Sequence, residues 1–126
     1  MKTLIFFIHR DAGESGAIFL KTIQKRFATI KIEVYQTNQE LETYLRTVVT
    51  DIFNKRFIVL FADTQDRLNR LYELVDLFQG EQLIVLLPEK AKDTMDLVHK
   101  FLPRYFSFVD DSYDDVCSVL TKMINR

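Results

Sequence analysis

Five short apolar runs, each followed by a stretch with helical spacing, constrain this chain more than any single residue does. The runs are residues 4–8, 32–35, 57–61, 83–87 and 105–109. Three of them are continuous rather than alternating, the pattern of central strands covered on both faces. The run at 32–35 alternates, with Lys31 and Glu33 set against Ile32 and Val34, and reads as an edge strand. The intervening stretches carry their own start and stop signals. After a loop bounded by Gly13 and Gly16, Ala17, Leu20, Ile23 and Phe27 fall on one helical stripe. Thr37 and Glu40 form a capping box ahead of Leu41, Leu45, Val48 and Ile52. Leu68, Leu71, Val75 and Phe78 line a third helix that Gly80 ends. A fourth starts near Asp93, buries Met95, Val98 and Leu102, and stops at Pro103. The fifth opens with a second capping box, Ser112 to Asp115, and carries Val116, Val119, Leu120 and Met123. Such alternation predicts a parallel α/β sheet with right-handed crossovers and helices on both faces. For 126 residues it predicts one domain, 1–126, with the flavodoxin-like (βα)5 strand order 2-1-3-4-5 as a three-layer sandwich.

Composition supports this class and removes several functions. With 48% hydrophobic and 28% charged residues and no low-complexity stretch, the chain fits a single globular domain. Seventeen basic side chains against eighteen acidic ones exclude the strongly basic balance of a general nucleic-acid binder. The lone Cys117 excludes an internal disulfide and a multi-cysteine zinc site, and fits a reducing, cytoplasmic compartment. No apolar run is long enough for a bilayer, so no membrane role is expected. The first strand starts within four residues of the N-terminus and the last helix runs nearly to Arg126. A stand-alone domain is therefore the expectation. Charge is unevenly spread: residues 1–31 hold six bases against two acids, and residues 110–115 hold four aspartates. That asymmetry can steer a protein partner or self-association.

In an open parallel sheet, ligands bind beyond the carboxyl ends of the strands, near the switch between strands 1 and 3. The chain places His9, Arg10 and Asp11 after strand 1, Asp63 and Thr64 after strand 3, Pro88 and Glu89 after strand 4, and Asp110 and Asp111 after strand 5. A five-fold β/α chain of this length, with Asp63 closing strand 3, resembles the receiver (CheY-like) domains of bacterial response regulators. That resemblance implies Asp63 as phosphoryl acceptor and Asp11 with Asp63 as ligands of Mg²⁺, the cofactor a phosphorylated receiver requires. It also implies a signal-transduction role in a two-component system. The match is partial. Only Asp11 stands where an acidic pair is expected, no hydroxyl follows strand 4 before Thr94, and no base lies between Arg104 and Lys122 where a lysine is expected. Two carboxylates in place of that lysine oppose a phosphoryl dianion. The resemblance therefore implies a degenerate pseudo-receiver that uses no cofactor and acts by protein–protein interaction, not as an enzyme.

The same residues allow a second reading. His9 and Asp63 end neighbouring strands, as in the mannose-type IIA domains of the sugar phosphotransferase system, where a histidine carries the phosphoryl group and an aspartate orients it. That resemblance makes His9 a candidate acceptor, although Arg10 stands where those domains have glycine. No other nucleophile–base pair is found. Cys117 has no flanking base to favour a thiolate and reads as a packing residue, and His99 as a surface one. For the interaction reading, the receiver resemblance implies a contact face on the fourth helix, fifth strand and fifth helix. Lys100, Arg104, Tyr105 and Tyr113 are its expected exposed members, and Phe106 stands at the family's switching aromatic.

Overall fold

The computed structural model describes residues 2–47 and 55–125, so Val48 and Ile52 lie outside the described residues. Its elements alternate as β1 (Lys2–Ile8), α1 (Gly13–Arg26), β2 (Lys31–Tyr35), α2 (Asn38–Thr47), β3 (Lys55–Phe61) and α3 (Gln65–Tyr72). They continue with a 3₁₀ turn (Val75–Phe78), β4 (Gln82–Leu87), α4 (Lys92–Phe101), β5 (Tyr105–Phe108) and α5 (Asp114–Ile124). The strands pair in parallel in the order β2-β1-β3-β4-β5, as the apolar pattern predicts. Among the described residues no helix is long and apolar enough to cross a membrane.

Side chains alternate across a strand, so the three central strands feed two separate cores. Leu4, Phe6, Val59, Phe61 and Ile84 meet α1 and α5 on one side. Ile5, Phe7, Ile58, Leu60 and Val85 meet α2, α3 and α4 on the other. Phe19 anchors the first core. It stacks on Phe61 at 5.0 Å between centroids and takes the edges of Phe6 at 5.9 Å and Tyr113 at 4.9 Å. Burying one such ring stabilises the fold by about 1.5–3 kcal/mol.

Several faces differ from the expectation for local reasons. On α1 the buried stripe is Gly16, Phe19, Ile23 and Phe27, while Ala17 is exposed and Leu20 half-buried. The helix begins at Gly13 and presses so close to β1 that only a glycine fits at position 16. A Cβ there would lie 2.8 Å from Ala12 Cβ and 2.9 Å from Ile8 Cγ2. The expected third helix breaks in two, because the Glu73 amide bonds Arg70 O three residues back and tightens the turn ahead of the 3₁₀ segment. On α4 it is Phe101, three residues after Val98, that turns inward. Leu102, expected inside, is 81% exposed. The first capping box forms with one shift: Thr37 Oγ1 accepts from Glu40 N, but Glu40 Oε1 accepts from Gln36 N rather than from Thr37. The second does not form as expected, since α5 starts at Asp114 and Ser112 Oγ accepts from Asp114 N. Cys117 is fully buried, and burial pushes its thiol up.

Candidate functional site

The carboxyl ends of β1 and β3 bring the expected residues to one rim of the sheet. Beyond β1 the chain folds into a tight turn in which Ala12 N bonds His9 O at 2.9 Å. Arg10 N bonds Gln36 O at 3.2 Å and ties this turn to the end of β2. Within the turn, His9 Nδ1 accepts from Asp11 N at 3.0 Å. The accepting nitrogen cannot carry the proton, so the neutral ring holds it on Nε2. Burial, and then the charge of nearby Arg67, lower the His9 pKa below its ordinary 6.5.

Beyond β3, Ala62 N bonds Leu86 O at 2.9 Å and holds the strand end against β4. Thr64 then caps α3, its hydroxyl accepting from Arg67 N at 3.2 Å. The cap fixes the first helical turn, which brings the side chain of Arg67 back over Asp63, four residues earlier. Arg67 Nε donates to Asp63 Oδ1 at 2.5 Å, with the two side chains only 19% and 12% exposed. The carboxylate at the strand end is thus neutralised from within the chain. Sequence reasoning missed this partner, although the spacing of Asp63, the Thr64 cap and Arg67 is a readable signal for an i,i+4 pair.

The other candidates do not converge on it. The Asp11 carboxylate is 73% exposed, and it lies 3.8 Å from Nδ1 of the His9 ring. Among the described residues no hydrogen bond or ion pair joins His9 or Asp11 to Asp63. Nor does any group of three His, Cys, Asp or Glu side chains gather to hold a metal ion among them. Mg²⁺ needs near-octahedral oxygen ligation. A solvent-directed Asp11 and an Asp63 already engaged by a guanidinium do not fit it. Thr94 is fully buried, and its hydroxyl donates to Gln65 Oε1 at 2.6 Å, tying α4 to the start of α3. From within β5, Ser107 Oγ donates to Asp111 Oδ2 at 3.4 Å, while Asp110 and Asp111, past the strand, are exposed.

The expected contact face is partly corrected. Lys100 and Arg104 are exposed, but Tyr105 and Tyr113 are half-buried and pack on the first core. The Tyr113 hydroxyl donates to Val109 O at 3.0 Å. Phe106 is half-buried on the opposite side of the sheet, edge-on to His99 and to Phe108. The basic first helix and the acidic segment also meet within the molecule, where Arg26 lies 3.7 Å from Asp114.

Compared with solved structures, the chain is similar to the crystal structure of a response regulator from Thermotoga maritima. The identity is 15%, the TM-score is 0.65, and the match covers 100% of each chain. A scan against protein-family models finds no match, and neither does a search of curated proteins. The likeness is one of fold, the flavodoxin-like (CheY-like) arrangement that the order of strands already describes.

Proposed function

We propose that the chain is a receiver-like signalling module, a pseudo-receiver that acts by binding protein rather than by phosphorylation of Asp63. The observation that carries this reading is the half-buried ion pair between Arg67 and Asp63. An acceptor carboxylate needs a free oxygen for in-line attack and a cation that neutralises the incoming phosphoryl group. Here a guanidinium from the same chain already holds Asp63 Oδ1, and it competes with any cation for that carboxylate. The acidic turn after β5 adds charge of the wrong sign. Transfer to His9 is disfavoured on separate grounds, because Nδ1 is occupied by the Asp11 amide and Nε2 carries the proton. We assign partner binding to the edge formed by α4, β5 and α5, where β5 ends the sheet and Lys100 and Arg104 are exposed.

Intact mass after incubation with acetyl phosphate and Mg²⁺, and separately with a phosphohistidine donor, tests the reading. The expected result is no phosphoryl adduct under either condition. A base-labile adduct lost in Asp63→Ala would overturn it in favour of an active receiver. An acid-labile adduct lost in His9→Ala would make the protein a histidine phosphocarrier instead.

A further inference from the structure

Arg67 is held more firmly, and its charge reaches further, than a lone ion pair requires. The first turn of α3 is fixed from two sides. Thr64 Oγ1 caps it by accepting from Arg67 N at 3.2 Å. Gln65 Oε1, at the start of the helix, accepts at 2.6 Å from the hydroxyl of Thr94, which is fully buried on α4. The Gln65 amide group donates in turn to Asn69 Oδ1 at 3.0 Å. Arg67 therefore reaches Asp63 Oδ1 from a backbone that is already in place, which lowers the ordering cost of the pair. Its charge is also felt at the end of the neighbouring strand, where it opposes protonation of His9.

Charge at these two strand ends already balances. Arg10 and Arg67 stand against Asp11 and Asp63, and His9 is neutral. A divalent cation entering here would meet a guanidinium across one shared carboxylate, and like charges at that range oppose each other. The receiver resemblance puts Mg²⁺ on Asp63; the residues present put a guanidinium there instead.

We infer that Arg67 is the resident counter-ion of Asp63 and takes the place of a divalent cation, so that this rim holds its state with no metal bound. The inference rests on the pseudo-receiver reading and deepens it by naming what regulates the charge of Asp63. Calorimetric titration and thermal melts of the full chain in millimolar MgCl₂, with no phosphodonor present, test it. The parent should show no saturable heat and no rise in melting temperature. Arg67→Met strands the Asp63 carboxylate, so it should bind Mg²⁺ about tenfold or more tightly than the parent and regain stability as the salt is added. Arg67→Gln, which keeps a donor for Asp63 without the charge, should do the same and serves if the methionine variant does not fold. Arg67→Lys keeps the charge and should stay as unresponsive as the parent. Adding Asp63→Asn to Arg67→Met should abolish the gain. Mn²⁺ locates the cation: in Arg67→Met it should broaden the ring signals of His9 and spare those of His99, the only other histidine. Three results overturn the proposal: Mg²⁺ bound by the parent and lost in Asp63→Asn, neutral Arg67 variants as indifferent to Mg²⁺ as the parent, or a gain that Arg67→Lys shares. Phosphorylation enters none of these measurements, so each of them is distinct from a phosphoryl adduct found by mass.

Discussion

The Arg67–Asp63 pair is best judged by taking it apart. Both side chains are largely withdrawn from solvent, so removing one partner leaves the other charge poorly solvated. Asp63→Ala and Arg67→Met should each destabilise the protein by about 1–3 kcal/mol, the cost of stranding a largely buried ionic group. The double variant should lose less than the sum of the two. Chemical denaturation of the four proteins measures this directly, and strictly additive losses would mean the pair contributes nothing. His9 makes a different prediction. Its pKa is lowered from 6.5 in the folded chain by burial and by Arg67, so the unfolded chain takes up the proton first as pH falls. The contribution of His9 is fully present above about pH 6.5 and is lost as pH drops below that value toward the folded pKa. His9→Asn keeps an acceptor for the Asp11 amide but cannot titrate. The variant should show a flatter decline of urea midpoint on acidification than the parent. Parallel declines would remove His9 from the account.

Among the elements, α1 makes the sharpest demand on sequence. Because a Cβ at position 16 meets Ala12 and Ile8 below 3 Å, Gly16→Ala should cost about 1–3 kcal/mol despite alanine's higher helix propensity. A thermal melt decides between the two effects, and a stabilised variant would show that α1 can move off β1. This contact also explains why the face of α1 was misjudged from the sequence. Apolar spacing alone allows either Ala17 with Leu20 or Gly16 with Phe19, and the close approach to β1 selects the second. The third helix was misread because Leu68, Leu71, Val75 and Phe78 keep a helical spacing through the break at Tyr72. A 3₁₀ turn still places apolar residues inward, so spacing hardly registers the change. Capping residues were legible in kind, but Thr37 and Ser112 chose their hydrogen-bond partners by backbone detail that the sequence does not display.

At the scale of the molecule, the sheet was the most legible part, since continuous apolar runs with both faces covered admit few arrangements. Strand order followed from chain length and the handedness of crossovers. The site was legible only in outline. That Asp63 and His9 end neighbouring strands could be read, yet which groups they touch depends on side-chain direction at strand ends and on where α3 begins. Arg67 became a partner only because Thr64 sets that start. Leu102 differs from its expected place for the opposite reason: its apolar character points to the interior, while its backbone turns it out.

The division of the interior into two cores that share no side chain has a consequence for how such a chain diverges. A substitution in the layer under α1 and α5 calls for adjustment among its own neighbours and leaves the layer under α2, α3 and α4 undisturbed. Each layer can drift along its own line of compensating changes, provided the pleat of the central strands keeps its alternation. Two chains can thus differ at most positions and still share one fold over their whole length, as this chain does with a Thermotoga maritima protein at 15% identity.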